Sequence, residues 1–353
     1  MIPRVSACTT CGGMVSAHSL VCAACGAVRN AVPSTGPQGS RRSGFFRSVA
    51  GASSTKPTSE EAAHDMRSIL EPDEECLVAV YASLLTCPHV ASNQTYRAVA
   101  GSVWIHCCLS PNPFDAYASR PVGDHRPPSA GGKRSLGTAC RHCEESPPDG
   151  ASGTIVMPIG LLRFAGALSA LVGGPLLASR DVGRMAAARG RMRQCADCLR
   201  APDFLDGPLV RSLIERAHEV GRDPALRGLA ADVMRGTVAA VLAHEVGHLV
   251  YGHVDGPTSL FEVSRNAERE ADSFAASALL TMPHPERALL GAVLFWACVI
   301  HHSRLHGEER AITHPLSAER LDAMIQSMPS AMRTLDAVHV LSAADLRSLA
   351  GVE

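Results

Sequence analysis

The sequence predicts one large, mostly helical domain preceded by a small cysteine-rich module, and three observations carry that expectation. With 353 residues and 46% hydrophobic content, the chain can bury one sizeable core and still supply a second, smaller unit. An apolar stretch from Ala231 to Val250 has Met234, Thr237, Val241, His244 and His248 on one stripe at helical spacing. The 13 cysteines include CxxC pairs, the first two close to the N-terminus. The formal net charge of −1 points to no class of partner.

Residues 1–30 hold Cys8-Thr9-Thr10-Cys11 and Cys22-Ala23-Ala24-Cys25, each pair followed by Gly. Two such knuckles offer four thiolates to one tetrahedral Zn²⁺, so the segment reads as a zinc ribbon, with redox thiols the lesser alternative. Residues 31–72 read as a flexible linker, rich in Ser, Gly, Pro and Thr as far as Thr58 and unable to bury enough apolar surface to fold alone. Within it, Arg41-Arg42-Ser43-Gly44-Phe45-Phe46-Arg47 is basic and aromatic, and no acidic residue precedes Glu60. Such an arm could touch nucleic acid or an acidic partner, although a solvated tail is the plainer reading. Met1 to Arg29 has Cys and Gly where a secretory signal needs an apolar run, so a cytoplasmic location is expected.

The remaining chain, 73–353, is expected to form the main domain. Residues 119–153 are rich in Pro, Gly and Ser and read as an insertion carrying Cys140-Arg141-His142-Cys143. The charged, helical segment 180–230 carries Cys195-Ala196-Asp197-Cys198, and these four cysteines could hold a second structural zinc. Cys76, Cys87, Cys107, Cys108 and Cys298 lie among apolar residues and read as buried thiols. Two apolar stretches, Thr154 to Ala178 and Ala288 to Ile300, read as core; the first is broken by Arg163, Gly and Pro, and the second is too short to span a bilayer, so no transmembrane segment is expected.

The chemistry concentrates at His244-Glu245-Val246-Gly247-His248. On a helix of 3.6 residues per turn, histidines four apart project from one face and one metal ion can bridge them, while Glu245 turns toward the metal's open side. Zinc bound there would lower the pKa of a water to about 7 and make it a nucleophile. Asp232 is the expected N-cap and Gly256-Pro257 the stop, giving a helix of about 22 residues. A second helix is expected from a Ser259/Glu262 capping box to Pro283. Glu268 and Asp272 share a face of it, so Glu268 can bind zinc while Asp272 accepts a hydrogen bond from a ligating histidine. Glu270, about 200° around the helix from Glu268, is expected to point elsewhere and to be nearly silent when replaced. His253 is expected to face the helix dipole or cap the helix end, and His301, His302 and His306 to be surface or partly buried polar groups.

This HExxH segment, followed by His253 and by Ser264-Arg265-Asn266-Ala267-Glu268-Arg269-Glu270-Ala271-Asp272, resembles the gluzincin zinc peptidases, specifically the M48 group that includes the HtpX-type proteases. Thr313-His314-Pro315-Leu316-Ser317-Ala318-Glu319-Arg320-Leu321 resembles the Thr-His-Pro…Glu-Arg segment of that group. Asn112-Pro113-Phe114-Asp115-Ala116-Tyr117-Ala118 and the stretch from Thr154 to Leu162 resemble degenerate forms of its Asn-Ala-Phe-Ala and strand-Gly-Leu-Leu elements. The resemblance implies an α+β, mostly helical gluzincin-type domain, with His244, His248 and Glu268 as ligands and Glu245 as general base, and it brings His314 to the substrate cleft. The implied activity is zinc-dependent endopeptidase on a protein or peptide substrate.

Two departures bear on this. The roughly 20 residues between His248 and Glu268 are too few for the transmembrane insertion common in membrane members of the group. That short spacing also suits the IrrE-like and Lit-like gluzincin branches. A metzincin is excluded, because Tyr251 and Val254 stand where its Gly and third His would be. The alternative outside the enzymes is a zinc-ribbon regulator or adaptor with a degenerate peptidase-like domain.

Overall fold

The computed structural model describes residues 5–7, 14–16, 74–108, 116–119, 151, 153–181, 183–198, 208–220, 222–255, 261–306 and 317–352. The four ribbon cysteines, Cys140, Cys143 and His314 lie outside these residues, as do the linker and the greater part of the expected insertion. Near the N-terminus, β1 (Val5–Ala7) and β2 (Met14–Ser16) pair antiparallel, and in sequence they flank the first CxxC.

From residue 74 on, helices dominate the described residues and the sheet is small. Three short helices open it: α1 (Glu74–Thr86), α2 (Pro88–Ala91) and α3 (Gln94–Ala100). Asn93 caps α3 by accepting from the Thr95 and Tyr96 amides, and the buried Tyr81 hydroxyl donates to the Ala100 carbonyl at 2.6 Å, tying α1 to the end of α3. Strands β3 (Val103–Cys108), β4 (Tyr117–Ser119) and β5 (Gly153–Pro158) follow. β5 is central, parallel to β3 in the register Val103↔Gly153 and antiparallel to β4 in the register Tyr117↔Val156. All six β5 residues are buried, as expected of a β-branched, apolar strand covered on both faces.

β5 runs directly into α4 (Ile159–Leu168), with Gly160-Leu161-Leu162 in its first turn. The path continues through a π-helical segment, Ser169–Gly173, into α5 (Gly174–Ala178). The 20 residues Ile159–Ala178 are long and apolar enough to cross a membrane, yet 78% of that window is buried inside the fold. Gly173 and Gly174 let the segment press on the longest helix: a Cβ on Gly173 would stand 2.6 Å from Val233 Cγ1, and one on Gly174 would stand 2.9 Å from the Leu226 carbonyl oxygen. Arg-rich α6 (Arg184–Cys198) and amphipathic α7 (Pro208–Val220) complete this half.

The core is organised around α8 (Pro224–Val250), which carries the HExxH residues. It is longer than the sequence suggested. Asp223, not Asp232, is the N-cap, accepting from the Ala225 and Leu226 amides, and Pro224 at the first position needs no donor. Asp232 instead lies within the helix, where it ion-pairs with Arg235 at 2.8 Å and with Arg287. At 27 residues the helix is about 40 Å long. It stops at Val250, before the expected Gly256-Pro257, as the chain turns through Gly252 with φ 72° into a 3₁₀ turn at His253–Asp255.

Two helices lie against α8: α9 (Phe261–Leu279) and α10 (Pro285–His306). The α8–α10 crossing is unusually close. A Cβ on Gly291 would stand 2.4 Å from the Val233 carbonyl oxygen, and the Thr237 hydroxyl donates across to the Gly291 carbonyl at 3.0 Å. From Ala288 to Ile300, α10 is almost wholly buried, as its composition predicts. Helices α11 (Ser317–Ser327), α12 (Pro329–His339) and α13 (Ala343–Leu349) close the domain. Arg184 binds the His339 and Val340 carbonyls at the end of α12, and Ser342 with Asp345 forms a capping box on α13.

Candidate metal centre

His244 and His248 stand one turn apart on α8 with their rings edge to face, and Glu268 reaches them from α9. His244 Nε2 and His248 Nε2 are 3.0 Å apart. Glu268 places Oε2 3.3 Å from the first and Oε1 3.5 Å from the second. Ligands about 2.0–2.2 Å from a tetrahedral zinc are separated from one another by roughly 3.3–3.5 Å, so this donor set fits such an ion. Among the described residues it is the one group of three or more His, Cys, Asp or Glu whose donor atoms converge closely enough to hold a metal.

Glycine makes the convergence possible. A Cβ on Gly247 would stand 3.0 Å from Ala271 Cα and 3.2 Å from Phe274 Cβ, so the bare position lets α9 lie against α8 at the height of the histidines. The hydrophobic packing of Ala271, Phe274 and Ala275 then fixes the rotation of α9, and Glu268 and Asp272 both face inward and are buried.

The His244 ring is held from both ends. Its Nδ1 lies 3.0 Å from Asp272 Oδ1, which leaves Nε2 for the ion. Arg320, from α11, grips Asp272 with two hydrogen bonds: Nε to Oδ2 at 2.8 Å and Nη2 to Oδ1 at 2.7 Å. Its Nη1 is 3.2 Å from Glu268 Oε2, and its guanidinium stacks 3.9 Å above the Trp296 ring of α10. Arg320 has no helical spacing that ties it to the HExxH turn; its one signal in the sequence is the Glu-Arg pair of the Thr-His-Pro…Glu-Arg resemblance.

The buried ionisable groups of the site shift one another. Burial and the Arg320 charge pull the His244 pKa down, yet its hydrogen bonds to Asp272 and Glu268 outweigh them and hold it at about 9. His248 is pushed down to about 3, chiefly by burial and then by the charge on His244, so its ring stays neutral with a lone pair to give. Asp272 is held below the ordinary carboxylate range despite burial, by Arg320 and His244. Glu245 is buried, and burial raises its carboxyl above the usual range against the charges of His244 and Arg320. Its carboxylate accepts from the Ala118 backbone amide on β4, so an edge strand of the described sheet lies beside Glu245.

On the far side of His248 the structure corrects one expectation. His253 does not cap α8: its Nδ1 lies 3.0 Å from His248 Nδ1. Glu270 stands outside the three-donor cluster, and its Oε2 is 2.9 Å from His253 Nε2. Of the expected second structural site, only Cys195 and Cys198 are described. Both are buried on α6, with burial pushing their thiols up to about 12 and about 11. Cys195 lies near Cys298, whose Sγ is 3.9 Å from Met192 Sδ.

Residues 214–340 match the model of the family described as Peptidase U49. No curated protein and no solved structure matches the chain. The matched span runs from within α7 to the end of α12 and takes in the HExxH helix, the Glu268 helix and Arg320, leaving the sheet outside it. Over that span the chain is similar to a family of peptidases, and within it lies a His-His-Glu cluster that could hold a metal ion.

Proposed function

We propose that this chain is a zinc-dependent endopeptidase of the gluzincin kind, close to the M48 group, in which His244, His248 and Glu268 hold the ion and Glu245 is the general base. The observation that carries the reading is the convergence of three donors beside a buried carboxylate on the same helical turn. Bound there, zinc would polarise a peptide carbonyl and acidify a water. Glu245 takes a proton from that water as its oxygen attacks the carbonyl carbon, then delivers the proton to the amine as the C–N bond breaks. Burial suits it to the first role, since a carboxylate whose pKa is shifted upward is the stronger base and takes the proton more readily. A purely structural metal site would have no use for this residue, which argues against a regulator without turnover.

Asp272 and Arg320 act through His244, fixing its tautomer and ring plane. β4, at the edge of the described sheet and bonded to Glu245 through Ala118, offers a place where an extended protein segment could add as a further strand. The proposal also includes a cytoplasmic location and a structural zinc on Cys8, Cys11, Cys22 and Cys25, with His314 reaching the cleft. Comparing protein N-termini in cells carrying the wild-type chain with those carrying Glu245→Gln tests the activity directly. New N-termini should appear with the wild type alone; identical sets would contradict a protease.

A further inference from the structure

The metal-facing nitrogen of His248 is Nε2, the atom turned toward His244 Nε2 and Glu268 Oε1. To bind an ion it must be bare, so the proton of the neutral ring has to sit on Nδ1. What fixes that choice is the group facing Nδ1, which is another imidazole: His253 Nδ1, 3.0 Å away. Two nitrogens at that distance share one hydrogen, and either could donate. The decision is made one step further out. His253 Nε2 lies 2.9 Å from Glu270 Oε2, and a carboxylate only accepts, so the His253 proton belongs on Nε2 and its Nδ1 is left as an acceptor. His253 must then receive the Nδ1 hydrogen of His248.

Backbone geometry supports the arrangement. Because α8 ends at Val250 and Gly252 turns with positive φ, the 3₁₀ turn brings His253 back beneath His248, with ring centroids 5.2 Å apart. The His253 side chain is 13% exposed and further covered by Tyr251, whereas Glu270 is 61% exposed and reaches in from the surface of α9.

From this chain of contacts we infer that His253 and Glu270 are positioning residues for the metal centre, setting the tautomer of His248 as Asp272 sets that of His244. The inference rests on the metal-site reading above and assigns function to two side chains that the HExxH pattern leaves out.

The test uses the full chain and zinc alone, titrated against a competing chelator, with Glu268→Ala marking the loss of this site against any zinc held elsewhere. His253→Ala should weaken zinc binding roughly 10- to 100-fold, and His253→Asn, which restores an acceptor, should recover part of it. Glu270→Gln keeps an acceptor oxygen and should stay within about 3-fold of wild type. Glu270→Lys presents only donors and reverses the direction of the relay, so it should cost about 10-fold or more while leaving the melting temperature unchanged. Nitrogen-15 spectra of the zinc-loaded wild type should show His253 protonated at Nε2 and His248 at Nδ1, a signature that a packing role would not require. If Glu268→Ala loses this zinc while His253→Ala and Glu270→Lys bind it as wild type does, the inference is wrong and the site stands. If Glu268→Ala retains all its zinc, the site itself is misread. Should His253→Ala fail to fold, the surface substitutions at Glu270 decide alone.

Discussion

His244 and His248 lie one turn apart on the same helix and face the same three-donor cluster, yet they are held in opposite ways. Behind His244 stand Asp272 and Arg320, both 8% exposed, with the guanidinium stacked on Trp296. Behind His248 stand the His253 imidazole and a carboxylate that is mostly in water. A buried ion pair cannot lose a member without leaving an unpaired charge in low dielectric, whereas water can substitute for a surface carboxylate. One side of the site is therefore rigid and intolerant, and the other is adjustable.

Removing the donor common to both sides should do most. Glu268→Ala is expected to abolish tight zinc binding at this centre, read by metal content after dialysis. Arg320→Ala should follow, since it strands Asp272 and Glu268 together in the interior. A cost of about 3–5 kcal/mol, measured as a shift in denaturant midpoint, is expected from breaking such a pair. Replacing both Arg320 and Asp272 with apolar residues of similar volume should recover part of that stability while still loosening His244.

The close helix crossings come next. Gly291→Ala puts a methyl carbon against the Val233 carbonyl and should cost at least about 1–3 kcal/mol of stability wherever the metal is. Gly247→Ala should instead show its effect mainly in zinc affinity, because the neighbour it displaces is the backbone of α9 beside Ala271. Equal effects of the two substitutions on affinity would mean that α9 is not positioned by that contact. Asp272→Ala should lower metal affinity or activity roughly 10- to 100-fold. The smallest change is expected from Glu270→Ala, at or below the bottom of that range, because solvent reaches His253 Nε2 once the carboxylate is gone. An effect as large as that of Asp272→Ala would erase the contrast between the two sides.

How far the site could be read from sequence follows the same division. The His244, His248 and Glu268 cluster was legible because helical spacing puts the two histidines on one face and the family resemblance pointed to Glu268. Arg320 was not, since 48 positions and the whole of α10 separate it from Asp272, and only the packing of α10 and α11 brings it in. His253 was misjudged because extending the helix of α8 past its end places residue 253 away from His248. The helix stops at Val250, and the turn at Gly252 reverses the geometry. Glu270 was dismissed on the wheel of α9 considered alone, which is correct about the donors and blind to a neighbour arriving from another element. Likewise Asp232 has the residue type of an N-cap, but its partner Arg287 comes from α10, and Asp223-Pro224 supplies the real start. Three-residue β4 had no periodicity to detect, and no strand was expected there.

The HExxH turn is assigned two roles, metal site and proton-transfer site, and one paired measurement separates them. Zinc content and peptide-bond cleavage are determined side by side for the wild-type chain, Glu245→Gln and Glu268→Ala, with a responsive protein or peptide identified from the N-terminal comparison as substrate. Glu245→Gln should keep the metal and lose cleavage by about 10²- to 10⁴-fold or more, while Glu268→Ala should lose both. A Glu245→Gln variant that cleaves as well as wild type, or a Glu268→Ala variant that keeps its full zinc content, would contradict the account.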